Sequence, residues 1–243
     1  EVSLFQPWES FSPKETQLFH LFSANVGTFH LARVINNLKV PFVTSSIFYT
    51  RHSPFVIRSV VKTDSLLKKF RQGIWTDYGF TRQICEWSKT ILPNTHEEAS
   101  LIEKGLMIPK SKITVVPNGV EPRFEFGNPS LFKKKYGIEN FILNVGHIGP
   151  ERKNVLQLIR ALKTIDHPAV IIGRITPGNY ADQCLAEAKE NKNILIIDGL
   201  HNDSEMLASA YAACNVFALP STFETPGIAA LEAALAGAKI VIT

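Results

Sequence analysis

The sequence has few of the residues that build disulfide frameworks and metal centres. It contains three cysteines in 243 residues, and none of them forms a Cys-x-x-Cys pair. Its seven histidines show no His-Glu-x-x-His spacing. These absences argue against a small disulfide scaffold and against a zinc site, so we expect no metal. We expect the three thiols to be free and buried in the core: Cys85, Cys184 and Cys214.

Long apolar runs and a strong excess of one charge are also missing. No uncharged apolar run reaches the roughly 18 residues that a membrane-spanning helix needs. The net charge is only +4, but residues 1–138 carry 18 Lys and Arg against 11 Asp and Glu, whereas residues 139–243 carry 8 against 11. The asymmetry favours two units with different partners, and it is too mild to indicate nucleic-acid binding.

Short apolar runs alternate with helical stretches through the second half of the chain. The runs are brief and rich in β-branched and aromatic residues, which is typical of parallel strands that are covered on both faces. The strands are expected at Phe141–Gly146, Ala169–Gly173, Ile194–Ile197, Val216–Leu219 and Lys239–Thr243, and the helices at Asn154–Lys163, Ala181–Glu190, Ser204–Cys214 and Gly227–Gly237. This alternation predicts an α/β fold with a parallel sheet, which binds ligands at the carboxyl ends of its strands.

The first half repeats this alternation less clearly. Its strands are expected at His20–Ala24, Pro41–Ser46, Thr90–Pro93 and Ile113–Pro117, with helices at Thr28–Leu38 and His96–Lys104. The stretch Asn118–Lys135 is rich in turn residues and charge, which indicates a hinge or a linker. We therefore predict two domains, at residues 1–125 and 126–243.

The segment Ala218–Gly237 carries the clearest chemical signal. After the strand, Thr225 and Pro226 have the residue types that begin a helix. Gly227 lets another group approach the backbone, and the free N–H groups of a helix start attract phosphate.

Glu224 and Glu232 are the only charged residues between Val216 and Ala238. Glu232 lies in an otherwise apolar helix, where an unpartnered carboxylate costs several kcal/mol. A sugar or ribose diol is one suitable partner, because a carboxylate accepts hydrogen bonds from two hydroxyls. The alternatives are a solvent-facing Glu232 and a pairing with a basic side chain.

Three elements, in order along the chain, resemble the C-terminal donor-binding domain of family-4 glycosyltransferases, which have the GT-B fold. They are VPNGV at Val116–Val120, NVGHIGPERKN at Asn144–Asn154, and PSTFETPGIAALEAALAG at Pro220–Gly237, which holds the Glu-x7-Glu pair of that family. The resemblance covers about residues 116–243 and is much weaker before them. It implies two Rossmann-like domains, both incomplete: an acceptor-side domain at 1–125 and a nucleotide-sugar-binding domain at 126–243.

The resemblance also implies roles for individual residues. Arg152 and Lys153 would hold the donor diphosphate, and Glu224 would bind the donor sugar; these three are the implied catalytic residues. The remaining implied contacts are Glu232 with the ribose, the backbone of Gly227 and Ile228 with the phosphates or sugar, and His147, which stands where the family commonly has Arg.

Two departures from the family pattern concern the first half of the chain. No His stands at the family's usual position after Pro41–Ser46, so Tyr49 and His52 are the nearest candidates, with ordinary loop residues as the alternative. The family's glycine-rich loop is missing, because no Gly precedes Gly27. We expect the chain to be a fragment that lacks both ends of the family's enzymes.

The implied function is transfer of a hexose from a UDP- or GDP-linked donor to a sugar or lipid-linked acceptor, with retention of anomeric configuration. Such an enzyme needs no cofactor. It would act in polysaccharide or glycolipid synthesis, either in the cytoplasm or peripherally at the inner face of the membrane. The alternatives are a sugar-nucleotide epimerase of the same fold and a non-catalytic nucleotide-sugar-binding fragment.

The pattern from Ser53 to Phe70 predicts an amphipathic helix. Three of its basic residues, Arg58, Lys62 and Lys69, share one stripe at 100° per residue. Apolar residues gather on the opposite side, where they are expected to face the core: Val56, Ile57, Val60, Leu67 and Phe70. The basic stripe is either a solvated helix face or a peripheral contact with an anionic membrane.

Overall fold

Two parallel sheets organise the chain, and they confirm the α/β class. The computed structural model describes residues 2–70, 75–224 and 227–243, except for the side chains at 69 and 70. Two compact units divide at Pro117 and Asn118. Residues 118–125 belong to the second unit, where the buried ring of Phe124 packs edge-on against Tyr211 with the ring centroids 5.4 Å apart.

The first unit contains a three-stranded parallel sheet in the order β1-β2-β3. Asn25 begins the first helix by accepting hydrogen bonds from the N–H groups of Gly27 and Thr28, which satisfies two of the donors that a helix start leaves free. The elements are β1 (Phe19–Phe22), α1 (Val26–Asn37), β2 (Phe42–Ser45), α2 (Pro54–Phe70), α3 (Asp77–Trp87), β3 (Thr90–Ile91) and α4 (His96–Ser100), which continues as a π-helical turn at Leu101–Gly105.

The second unit contains a five-stranded parallel sheet in the order β6-β5-β4-β7-β8. All four residues of β5 are buried, as expected for a central strand with helices on both faces. The elements are α5 (Pro129–Tyr136), β4 (Phe141–Val145), α6 (Val155–Leu162), β5 (Ala169–Ile172), α7 (Asn179–Lys189), β6 (Ile194–Ile197), α8 (Glu205–Ala213), β7 (Cys214–Leu219), α9 (Ile228–Leu235) and β8 (Lys239–Ile242).

The predicted hinge at Asn118–Lys135 is wrong. This stretch contains a 3-10 turn at Pro122–Phe124 and most of α5. Phe132 on α5 is fully buried, and its backbone N–H donates to the Ser209 hydroxyl on α8 at 2.8 Å. Two buried aromatic rings therefore fix a segment whose composition alone is typical of a linker.

Two other details of the first unit differ from the sequence prediction. The expected strand at Ile113–Pro117 is reduced to a single parallel bridge between Ile113 and Ile91. Helix α3 was not predicted; Thr76 begins it by accepting a hydrogen bond from the N–H of Gly79. It packs on the sheet through the buried side chains of Ile84 and Cys85.

The helix predicted at Ser53–Phe70 is present as α2, but its expected apolar side is only partly buried. Ile57 is fully buried, whereas Val56 and Leu67 are about 40% exposed. Val60 is half-buried, and Phe70 lies outside the described side chains. Further apolar side chains on α2 also face solvent, since Phe55 is 78% and Leu66 is 56% exposed.

All three cysteine thiols are free and buried, as predicted. Burial is the main cause that raises the pKa of Cys85 to about 12. Among the described residues, no helix combines the length and the apolar character that crossing a membrane requires.

Candidate functional site

The order of strands in the second sheet identifies one place where a ligand site is expected. From β4 the chain proceeds outward to β5 and β6 on one side, and it then returns to β7 and β8 on the other side of β4. The loops that follow β4 and β7 therefore leave the sheet side by side and lead in opposite directions. In open parallel sheets, ligands bind outside the carboxyl ends of the strands at this switch point.

The loops after β4 and β7 are joined by backbone and side-chain hydrogen bonds. The backbone carbonyl of Arg152 accepts from the N–H of Thr222 at 2.9 Å and from its hydroxyl at 3.3 Å. The guanidinium of Arg152 lies 5.7 Å from the ring centroid of Phe223. These contacts bring the predicted basic pair and the predicted glutamate loop together.

Lys153 and Glu224 form an ion pair at this junction. The Lys153 ammonium donates to Glu224 Oε1 at 2.5 Å, and a terminal nitrogen of Arg152 lies 4.0 Å from Oε2. The Lys153 and Glu224 side chains are 19% and 18% exposed, whereas Arg152 is 47% exposed. Burial alone would raise the pKa of Glu224. The hydrogen bond from Lys153, the nearby Ser221 hydroxyl and the charges of Lys153 and Arg152 outweigh burial and hold that pKa below its ordinary value.

Gly227 marks the beginning of α9, close to the Glu224 side chain. A Cβ atom at this position would lie 2.5 Å from Leu219 Cδ2 and 3.5 Å from Glu224 Cγ. A larger residue at this position would displace the Leu219 side chain, so glycine permits the close approach of the backbone to Leu219 and Glu224. Ile228, the first residue of α9, is 46% exposed; the predicted helix start at Thr225 and Pro226 lies outside the described residues.

His147 lies directly beyond the end of β4 and is exposed. The preceding residue, Gly146, passes very close to Gly173 at the end of β5, where a Cβ atom would lie only 1.7 Å from the Gly146 carbonyl oxygen. His147 is thus placed at the same edge of the sheet as Lys153 and Glu224. The structure shows no hydrogen bond or ion pair from its imidazole among the described residues.

Glu232 is buried, with 7% of its surface exposed, so the alternative of a solvent-facing carboxylate is wrong. Among the residues that the structure describes, its partner is not a basic side chain. The hydroxyl of Tyr211 on α8 donates to Glu232 Oε2 at 2.7 Å. Sequence reasoning missed Tyr211, because nothing in the spacing of α8 and α9 indicates which tyrosine meets which carboxylate.

The first unit presents its own polar cluster after β2, where Tyr49 and His52 were the candidates. The His52 Nδ1 atom lies 2.6 Å from the Tyr78 hydroxyl, which lies 2.8 Å from the Thr50 hydroxyl. Tyr49 is 40% exposed. The contact with Tyr78 fixes the His52 ring in place, and the structure shows no contact that would give His52 a functional role among the described residues.

The loop that carries His52 is fastened by a residue that the sequence did not single out. Glu98 on α4 is 2% exposed. It accepts from the Ser46 hydroxyl at 2.6 Å, the Phe48 N–H at 2.7 Å and the Asn94 N–H at 2.8 Å. One carboxylate thereby ties the loop after β2 to the loop after β3.

Comparison with known proteins concerns the second unit first. Residues 130–243 match the model of the family "Glycosyl transferases group 1". Residues 130–243 of the second unit are thus similar to the glycosyltransferase group 1 domain, and the fold of the chain matches that of GT-B glycosyltransferases.

One curated relative and two solved structures illustrate the likeness. An uncharacterized glycosyltransferase of Methanocaldococcus jannaschii is 28% identical over 147 residues, which covers 56% of this chain and 37% of the relative. Sucrose-phosphate synthase from Thermosynechococcus elongatus is similar with a TM-score of 0.67 and 19% identity, over 93% of this chain and 55% of that one. Anabaena HepE in complex with UDP and glucose is similar with a TM-score of 0.65 and 16% identity, over 92% of this chain and 58% of that one. The chain thus spans little more than a third of the relative and somewhat over half of these two structures.

Proposed function

We propose that the protein is a glycosyltransferase that moves a hexose from a nucleotide-sugar donor to an acceptor with retention of anomeric configuration. The observation that carries the proposal is the Lys153–Glu224 ion pair at the switch point, with Arg152 beside it. The group 1 domain supports transferase chemistry. The similarity to family-4 enzymes supports retention and a role in polysaccharide or glycolipid synthesis.

The chemistry of the site suits a departing diphosphate. As the bond between the sugar and the diphosphate breaks, negative charge grows on the phosphate oxygens, and fixed cations stabilise it. Lys153 and Arg152 supply two such charges, and the start of α9 adds backbone N–H groups near Ile228. Because the pKa of Glu224 is lowered, its carboxylate is ionised at neutral pH and can accept hydrogen bonds from sugar hydroxyls.

For the donor we propose a UDP- or GDP-linked sugar. HepE, a structural neighbour, was solved with UDP and glucose, which favours UDP as the first nucleotide to try. His147 would contact the diphosphate from the loop after β4, and Glu232 would bind the ribose. In this proposal the reaction needs no metal or other cofactor, because Arg152 and Lys153 supply the positive charge.

For the acceptor we propose a sugar or a lipid-linked sugar, with the protein in the cytoplasm and peripherally bound to an anionic membrane. Helix α2 supports this, since it exposes Phe55 and Leu66 beside Lys62. Arg58 is also exposed, although its guanidinium donates to the Lys104 carbonyl at 2.8 and 3.0 Å. Lys69 lies outside the described side chains. A face with apolar and basic side chains suits the interface of an anionic bilayer.

The proposal is tested by comparing ligands that differ only in phosphate. We expect the Arg152→Ala/Lys153→Ala variant to bind UDP or GDP at least about tenfold more weakly, since a charged hydrogen bond contributes about 1.5–3 kcal/mol, while the bare nucleoside is bound almost unchanged. Titration calorimetry measures both affinities. The matched control is Arg160→Ala/Lys163→Ala, because that basic pair on and after α6 engages Glu187 instead.

Two outcomes would contradict the proposal. Equal losses for the nucleoside and its diphosphate would remove Arg152 and Lys153 from the phosphate site. Conversion of a UDP-sugar to its epimer without an acceptor would assign the protein to the epimerases.

A further inference from the structure

Glu232 and Tyr211 form a buried pair beneath the donor site. The Tyr211 hydroxyl donates to Oε2 of Glu232 at 2.7 Å. Tyr211 is fully buried and Glu232 is 7% exposed. This carboxylate is thus held by a neutral donor, although it stands in a helix that contains no other charged residue.

The ring of Tyr211 has little freedom to move. Phe124 packs edge-on against it with the centroids 5.4 Å apart, and Phe217 on β7 lies at 5.8 Å. Burial, reinforced by the charge of Glu232, raises the pKa of Tyr211 far above its ordinary value, so the phenol keeps its proton. The hydroxyl is therefore a permanent donor at a fixed place.

The pair also explains why a carboxylate is tolerated here. Leaving a buried charge without a hydrogen bond is costly, and a single fixed donor satisfies one of its two oxygens. The other oxygen, Oε1, keeps its capacity to accept. Because Tyr211 fixes Oε2 of the planar carboxylate, Oε1 of Glu232 points in a defined direction.

We propose that Tyr211 is a positioning residue that orients Glu232 so that Oε1 accepts a hydrogen bond from the ribose 2′- or 3′-hydroxyl of the donor nucleotide. This inference rests on the proposed function, because it takes Glu232 as the ribose-binding residue. It adds that the preference for a ribose diol depends on a tyrosine that does not itself touch the nucleotide.

The experiment measures the preference of the 243-residue chain for UDP over 2′,3′-dideoxy-UDP. If GDP binds more tightly than UDP, GDP and 2′,3′-dideoxy-GDP are compared instead. The preference is the ratio of the two dissociation constants, obtained by titration calorimetry. The variants are Glu232→Gln, Tyr211→Phe and both together, and Tyr136→Phe on α5 is the control that removes a phenol hydroxyl elsewhere in the unit.

We expect Glu232→Gln to reduce the preference about tenfold, as the loss of one charged hydrogen bond implies. Tyr211→Phe should reduce it at least about threefold, and Tyr136→Phe should leave it unchanged. The double variant should match Glu232→Gln, because Tyr211 acts only through Glu232. A general loss of stability would weaken both nucleotides equally and leave their ratio intact.

The outcomes separate the inference from the proposed function. If Glu232→Gln leaves the preference unchanged, Glu232 does not bind ribose, and that part of the proposed function fails. If Glu232→Gln lowers the preference but Tyr211→Phe does not, only the positioning role is overturned. Should Tyr211→Phe alone fail to fold, the double variant contains no buried unpaired charge, and a preference lower than that of Glu232→Gln would still overturn the inference.

Discussion

The ammonium of Lys153 lies 2.5 Å from the carboxylate of Glu224, although the two residues are 71 positions apart in the chain. This ion pair closes the junction between the loops after β4 and β7. The two groups have different tasks in the proposed reaction, since Lys153 would face phosphate and Glu224 would face sugar. A bound diphosphate must therefore compete with Glu224 for the same ammonium group.

This competition predicts opposite effects of Glu224→Gln on two ligands. Removing the carboxylate charge frees Lys153 for phosphate, so we expect UDP to bind about twofold to tenfold more tightly. UDP-glucose should bind more weakly relative to UDP, because a good acceptor for the sugar hydroxyls is lost. Calorimetry on both ligands tests this, with Glu151→Gln in the neighbouring 3-10 turn as the control. Parallel changes for both ligands would contradict it.

The same pair predicts a pH-dependent contribution to stability. The folded-state pKa of Glu224 lies below its unfolded value, so the stabilisation is fully present above the unfolded pKa, about 4.3 for a glutamate, and is lost as pH falls through the folded pKa. Wild type should therefore exceed Glu224→Gln in free energy of unfolding at pH 7, by about 1 kcal/mol or less. Urea titrations from pH 7 to pH 3 should show the difference shrinking; a constant difference would refute this assignment.

In the first unit, Glu98→Gln should lower the free energy of unfolding by about 1–3 kcal/mol. The two backbone N–H groups of Phe48 and Asn94 donate to different oxygens of Glu98. The amide NH2 that replaces one of these oxygens cannot accept, so one of the two N–H groups loses its acceptor. Urea unfolding measures the loss, and Glu97→Gln, an exposed neighbour in the same helix, is the control. Equal stability of the two variants would show that Glu98 does not fasten the loops.

The proposed membrane contact predicts that binding to anionic vesicles depends on α2. Each basic residue near such a surface contributes about 1 kcal/mol, so Arg58→Gln/Lys62→Gln should weaken binding at low salt. Phe55→Ser/Leu66→Ser should weaken it at low and at high salt. Vesicle co-sedimentation measures both, and Lys134→Gln/Lys135→Gln on α5 removes equal charge elsewhere. Equal binding to neutral and anionic vesicles, or no effect of the α2 variants, would reject the proposal.

The fold of the second unit could be predicted because each of its strands is recognisable from the residues within the strand itself. Its strands are short apolar runs, and β5 is entirely buried. Parallel connectivity then places the loops after β4 and β7 at the same edge, where Lys153 meets Glu224. The roles assigned to them came from a family resemblance and stay predictions.

The features that sequence reasoning missed depend on contacts between distant segments. The segment around α5 has the composition of a linker, and only the burial of Phe132 and Phe124 makes it part of a core. Helix α2 has a clear period, yet tertiary packing buries Ile57 and leaves Phe55 in solvent. The hydrogen bond from Tyr211 to Glu232 leaves no local pattern either.

The pairing of β4 with β7 has a consequence for how the protein is made. Leu143 lies opposite Phe217, so the junction that brings Lys153 to Glu224 closes a loop of more than seventy residues. Contacts that distant form slowly, because loop-closure entropy must be overcome before they add stability. During synthesis, β4, β5 and β6 emerge first, and the proposed nucleotide site can form only after β7 and α9 have left the ribosome. The onset of the proposed nucleotide affinity during synthesis would therefore mark the moment when folding of this unit is complete.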